Sequence, residues 1–410
     1  MLLAACGKSD DTRTTITFWA MGREGEVVAE LLPEFERRHP EIRVNLQQLP
    51  WTAVHEKLLT AFAGDSLPDV AQLGNSWVAE FAALDALEPL DQRVDQSTVI
   101  EKRDYFSGIW DTNLIDGTLL GVPWYVDTRL LFYRKDLLAD AGFPQPPRDW
   151  NEWRRALIAI KANAGGDKYS ILLPLDEFGP LLSLAIQQDT PLLRDNDTRG
   201  NFESDDFRAT FAFYIEMFER EWAPRMSDTQ ISNVWNEFAR GFFVFYINGP
   251  WNIGEFKRRL PGDFGDKWGT AVLPGPKGDG AGIAGGTSLV LFRSGRNHDI
   301  AWKLIEYFSE PTVQAQFHAL TGNLPPRRSS WQNADLADDP YSVAFRQQLE
   351  HVKPTPKVAE WERIVNEMQR AAERVARGGA DTDATLARLN AEVDAILEKR
   401  RWMIEQADAR

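Results

Sequence analysis

The chain has one cysteine, Cys6, among 410 residues. An intrachain disulfide and a metal site built on cysteines are therefore excluded. Histidine is nearly as sparse. His39, His55, His298, His318 and His351 are scattered, with no HxH or HxxxH pair to serve zinc or histidine-assisted catalysis. No GxxxxGK[ST] loop is present, and "GNSWV" and "GDSLP" lack the closing glycine of a nucleophile elbow. "GAGIAG", Gly280 to Gly285, fits GxGxxG, but β-type "TSLVLF" follows it. Without a helix to hold a pyrophosphate, no dinucleotide is expected, and the residues call for no cofactor or metal. No apolar run of about 18 residues exists that could span a bilayer. Basic side chains are outnumbered 46 to 61, leaving a net charge of −15 with no basic stripe. Nucleic acid and anionic lipid surfaces are excluded as partners.

What is present is ordinary in bulk, with 43% apolar and 26% charged residues, a soluble globular composition. The length exceeds one hydrophobic core, so two lobes are expected. Fifteen tryptophans are an excess, and some are expected to serve as flat contact surfaces. At the start, Leu3-Ala4-Ala5-Cys6 resembles the lipobox that ends a bacterial lipoprotein signal peptide, with Cys6 as the lipidated residue. The polar "GKSDDTRTT" behind it reads as a tether.

Periodicity gives an α/β order. "TITFWA" reads as a buried strand, and Val27, Val28, Leu31, Leu32 and Phe35 share one helix face ended by His39-Pro40. "EIRVNLQQL" is a second strand, a helix capped by Thr52 follows, and "LPDVAQL" is a third strand. This β-α-β-α-β order predicts a parallel sheet covered on both faces. Later come a hairpin in "DGTLLGVPW", the strand "RLLFYR", a helix capped by Asp149, and strands in "YSILLPL" and "GFFVFYING". "GTAVLPGPKGDGAGIAGGTSLVLF" is two strands around a Gly/Pro loop, and residues 274–286 are a candidate crossing between domains. The last 50 residues read as helices.

Candidate chemistry lies in loops at strand ends: "FWAMGREGE", "QLGNSWV", "PWYVDTR", "LDEFGP" and "NGPWN". Open α/β sheets bind ligands outside the carboxyl ends of their strands. Aromatic faces beside carboxylates and amides suit sugars, whose CH faces stack while their hydroxyls pair with polar groups. Each tryptophan alone is equally consistent with packing. Abundant carboxylates also keep a carbohydrate-active hydrolase open.

In order and spacing, the chain resembles the carbohydrate-specific solute-binding proteins of ABC importers, of maltose- and trehalose-binding type. The carriers are "ITFWAMGREGEVVAELLPEFERRHPEIRV", "LPDVAQLGNSWVAEFAALDALEPLD", "GTLLGVPWYVDTRLLFYRKDLLADAGFPQPPRDWNEW", "FVFYINGPW" and "TGNLPPRRS". The resemblance implies an α/β, two-lobed periplasmic-binding-protein fold (type II) whose hinge has three crossings. Lobe 1 would hold residues 15–126 and 277–326, and lobe 2 residues 127–276 and 327–410, behind a tether at 1–14.

It implies a non-enzymatic receptor that captures a disaccharide or short oligosaccharide for a membrane permease. It would be a monomer outside the cytoplasm, held to the membrane only by a lipid anchor. Lobe 1 would supply Arg23 or Glu24, Asn75, Ser76, Trp77 and Asp127. The family often carries an acid where Ser76 stands. Lobe 2 would supply Glu177 or Phe178, Trp251 as a stacking platform, and Trp361. Thr287 and Arg327 would lie near the other crossings. Another polyol or a glycerophosphodiester remains an alternative ligand.

Overall fold

The computed structural model describes residues 12–231 and 233–408. Strand β1 (Thr14–Met21) buries Ile16, Phe18 and Ala20, and the helix Gly22–Arg38 follows at once, burying Val27, Val28, Leu31, Leu32 and Phe35. Strand β2 (Ile42–Leu49) lies parallel to β1, and β3 (Val70–Gly74) pairs with the other side of β1, also parallel. The helix between them spans Trp51–Ala63 with Pro50 at its cap and no side-chain bond there. Thr52 is therefore not the cap, because the helix begins one residue before it. Leu114–Ile115 and Thr118–Leu119 form the expected hairpin around Asp116-Gly117, both at positive φ (48° and 82°), as a tight two-residue turn requires.

Strand β4 (Val122–Val126) ends in the first sheet, and three residues later β5 (Leu130–Arg134) starts in the second. The second sheet adds β6 (Tyr169–Leu172), β7 (Phe243–Asn248) and β8 (Trp268–Ala271) in the order β8-β5-β7-β6. Asp149 accepts from the Glu152 N–H at 2.8 Å and caps the helix Trp150–Ala164, a bond worth about 1 kcal/mol. The chain then returns, and β9 (Gly286–Leu291) enters the first sheet, whose order is β2-β1-β3-β9-β4. Only β9 runs against its neighbours there, because it arrives from the other lobe. The two strands around the Gly/Pro loop thus belong to different sheets. A third passage follows Leu324, whose carbonyl accepts from Val126 N–H at 2.9 Å.

Nine of the fifteen tryptophans are buried, so most of the excess serves packing. Trp124 stacks on Phe317 at 4.6 Å and fixes a helix to the first sheet. Trp268 lies flat on Tyr341 at 3.7 Å and fixes the turn before the helix Val343–Leu349 to the second. A fully buried ring of this size removes enough area to contribute roughly 4–6 kcal/mol of gross hydrophobic stabilisation.

The first two crossings touch. Asp127 N–H donates to Gly285 O at 3.1 Å. A Cβ on Gly285 would meet Asp127 O at 2.3 Å, and one on Gly286 would meet Tyr125 O at 2.2 Å, with Gly286 at φ +132°. Only glycine fits that approach. Gly286→Ala is expected to lower unfolding free energy by at least about 2 kcal/mol in urea titrations, from backbone strain plus the clash. An unchanged midpoint would contradict this packing.

Candidate functional site

A cleft of about 350 Å³ opens between the lobes, against the two touching crossings. Each part of its wall comes from the end of a strand or the start of a helix. Beyond β3, Gly74 leads into the short helical turn Asn75–Trp77. Beyond β2 stands Trp51, and β4 carries Tyr125 one residue before its end and passes to Asp127 and Arg129. From the other lobe, Phe178 precedes the helix Gly179–Ala185, and Trp361 and Glu362 open the helix Trp361–Ala376. Ile283 to Thr287 of the second crossing close the floor.

Polar groups in this wall are held by partners behind it. Ser288 Oγ donates to Asn75 Oδ1 at 3.0 Å, leaving Asn75 Nδ2 buried with no protein acceptor. Met21 N–H donates to Gln72 Oε1 at 2.8 Å, and Gln72 Nε2 donates to the Tyr125 hydroxyl at 3.1 Å. Burial holds that phenol well above its ordinary pKa, so it stays protonated. Asp127 Oδ1 is buried without a hydrogen bond, 3.9 Å from Arg129 Nε. Unpartnered buried polar atoms are costly, and those of Asn75, Asp127 and Thr287 border this cavity, where a polar ligand would meet them.

Across the cleft, Ser76 Oγ donates to Glu362 Oε1 at 2.6 Å. Ser76 thus donates to a carboxylate on the first turn of the helix Trp361–Ala376. Trp77 packs its ring against Trp51 (6.0 Å, 61°) and His55 (5.1 Å, 55°). Behind it, Glu80 sits 2.6 Å from His55 Nε2 and raises the pKa of that imidazole. Trp51, at 39% exposure, remains open at the cleft edge.

Seven of the residues expected from the sequence border this cleft: Asn75, Ser76, Trp77, Asp127, Phe178, Thr287 and Trp361. Trp361 also packs into the core at 2% exposure, so packing and lining are not alternatives for it. Five others stand elsewhere. Arg23 is exposed on the first turn of its helix and donates to Leu320 O at 3.1 Å, because no loop separates β1 from that helix. Glu24, half-buried, accepts from Asn323 Nδ2 at 2.7 Å. Arg327 is buried against Asp104 (2.6 Å) and the Val99 carbonyl (2.9 Å), and ties the third passage to the first lobe. Glu177 lies behind Phe178, and Trp251 lies behind Arg129. Sequence reasoning missed Trp51, Tyr125, Arg129 and Glu362. All four carried a signal, since each stands within two residues of a singled-out position or at an equivalent strand end.

Among the described residues no group of three or more His, Cys, Asp or Glu could hold a metal, and no helix is long and apolar enough to cross a membrane.

Comparison with known proteins fits this geometry. The family described as bacterial extracellular solute-binding protein matches residues 21–315. A solved structure of the sugar-binding protein MalE from the phytopathogen Xanthomonas citri is 58% identical, with a TM-score of 0.93 over 96% of this chain and 100% of that one. A putative binding protein of Brucella abortus is 25% identical over 97% of this chain and 96% of its own length. The maltotriose-binding protein of Pyrococcus abyssi is 24% identical over 92% of this chain and 78% of its own.

The carboxyl groups beside the cleft set a pH dependence. Burial raises the pKa of Asp127, with Arg129 opposing, and burial likewise raises that of Glu177. A raised carboxyl contributes stability below its unfolded pKa, and that contribution is lost as pH rises through the folded value. Asp127→Asn is therefore expected to raise the urea midpoint of the ligand-free protein at pH 7. It should also flatten the decline in stability above about pH 4, the ordinary aspartate range. A lower midpoint at pH 7 would show that the charged carboxylate is held favourably instead.

Proposed function

The chain belongs to the family of bacterial extracellular solute-binding proteins, and from that premise we propose that it captures a saccharide between its lobes for an ABC importer. The observation that carries the reading is the cleft wall itself. Flat rings of Trp51, Trp77 and Trp361 stand beside the unpartnered Asn75 Nδ2 and Asp127 Oδ1, drawn from both sides of a hinge. Rings suit the CH faces of a pyranose, and the free donors and acceptors suit its hydroxyls. The names of the Xanthomonas citri and Pyrococcus abyssi proteins support a sugar, and within that class we favour a disaccharide or short oligosaccharide of maltose or trehalose type. A bound sugar touching both walls favours the closed arrangement by its differential affinity.

We assign residues 15–126 and 277–326 to the first lobe and 127–276 and 327–410 to the second. Ligand contacts come from the seven bordering residues expected from the sequence, joined by Trp51, Tyr125, Arg129 and Glu362. Glu24, close behind Tyr125, and Glu177, behind Phe178, shape the field of the site without touching its ligand. The protein works outside the cytoplasm as a monomer, hands its sugar to permease subunits, and turns nothing over. Cys6, outside the described residues, is the proposed point of lipid attachment.

Thermal unfolding against trehalose, maltose, maltotriose, sucrose and glycerophosphocholine tests the ligand class. At least one saccharide is expected to raise the midpoint, since a hundredfold excess over Kd adds about 2.7 kcal/mol. A shift with glycerophosphocholine alone would move the protein to the diester class, and loss of intact saccharide during incubation would make it a hydrolase. No shift with any saccharide contradicts the proposal. Asn75→Ala is expected to weaken the bound saccharide by roughly 0.5–1.5 kcal/mol in calorimetry while the protein stays folded. Unchanged affinity would remove Asn75 from the site.

A further inference from the structure

His55 is one of five histidines in the chain, and it stands directly behind a ring of the cleft wall. It lies one turn after Trp51 in the helix Trp51–Ala63. Its imidazole is 5.1 Å from the Trp77 ring, and Trp51 meets the same ring edge-on at 6.0 Å. Gly74 leaves room for that indole, since a Cβ there would come within 3.2 Å of it. Trp51 and Trp77 border the cleft; His55 does not.

His55 Nε2 lies 2.6 Å from Glu80 Oε2, on the helix Val78–Ala83. A carboxylate only accepts, so Nε2–H is the donor, and Nδ1 is the nitrogen that takes up and releases a proton. Both side chains are half-buried. The charges that face the imidazole are carboxylates: Glu80, Glu362 on the helix Trp361–Ala376, and Glu56 on its own helix. Lys57, next along that helix, lies over the Trp19 ring instead. The bond to Glu80 raises the pKa of His55, burial opposes it, and the charges of Glu362 and Glu56 add to the rise. Glu362 stands across the cleft from Trp77 and accepts from Ser76, the neighbour of Trp77 in the chain.

We propose that Glu80 and His55 position the Trp77 ring for the saccharide, and that capture takes up a proton at His55. The proposal rests on the saccharide reading above. Glu80 and His55 touch no sugar; they act through Trp77 and are positioning residues. A sugar held between both walls keeps Glu362 beside Ser76 and Trp77, and so near His55. When the walls part, that carboxylate moves away and the imidazolium loses one of its stabilising charges. The protonated form is therefore favoured in the bound protein, and by linkage protonation strengthens binding. The gain is full below the pKa of His55 and is lost as pH rises through it. A charge acting across partly solvated protein makes this an effect of about two- to fivefold.

Calorimetry with trehalose, maltose and maltotriose as probes, between about pH 5.5 and about pH 8.5, tests this. The Kd of a probe that binds is expected to rise about two- to fivefold across that range. Near the midpoint, the binding heat should differ between buffers of unequal ionisation enthalpy in the sense of proton uptake. His55→Gln keeps a donor for Glu80 but cannot titrate. It should hold the affinity found at about pH 8.5 within roughly twofold and lose both the pH and the buffer dependence. Glu80→Gln should move the fall in affinity to lower pH, and His55→Ala should weaken binding at every pH by about three- to tenfold. In NMR, the titration of the His55 Cε1–H proton should move to higher pH when the sugar is added. A purely structural role would move none of these pH readouts. Affinity flat with pH, a pH dependence that survives His55→Gln, or a His55 titration unchanged by sugar would overturn the proposal. If the unaltered protein bound none of the three probes, the saccharide reading would fall and this inference with it. Binding without proton uptake would fell this inference alone.

Discussion

The site depends on two chain crossings packed closer than side chains allow. Asp127 N–H meets Gly285 O, and neither Gly285 nor Gly286 has room for a Cβ. That contact lies where the chain passes between the two sheets, and its residues line the cleft. It also fixes where Asp127 and Arg129 stand, since both lie on the first crossing and have little freedom to move away from the cavity. Leu324 braces the same point from the third passage.

Crossings packed this way bring unlike charges and unpartnered polar atoms together beside the cleft. Asp127 is destabilised by burial and only partly relieved by Arg129. Across the cleft, Glu362 is held by Ser76. Buried polar groups without protein partners weigh on the stability of the fold at this point. Under the proposed function, a ligand that meets these groups from both walls would draw on that withheld stability.

Much of the fold was legible because periodicity and punctuation carry it. The first three strands, the Asp149 cap, the Asp116-Gly117 hairpin and the crossing at 274–286 all follow from local chemistry. The reversed direction of β9 was not legible, because it depends on the chain coming back from another lobe. Strand-end loops with aromatic and polar residues pointed to the neighbourhood of this cleft. They could not say which side chain of a loop turns inward. Phe178 rather than Glu177 borders the cleft, and Arg23 turns out because a helix starts directly after β1. Arg327 of "LPPRRS" is expected near a crossing, but Asp104, distant in sequence, holds its guanidinium away from the cleft wall. Trp251 shows the same limit most sharply: its position was readable, but the arginine lying on it was not.

The account's central claim is that one saccharide is held by both lobes at the paired crossings. A crystal structure of the protein with trehalose, maltose or maltotriose tests this most directly. The account predicts a single intact saccharide within hydrogen-bond distance of Asn75 and Asp127 on one side and of Glu362 on the other. A sugar bound to one lobe only, or away from the Asp127–Gly285 contact, would contradict it.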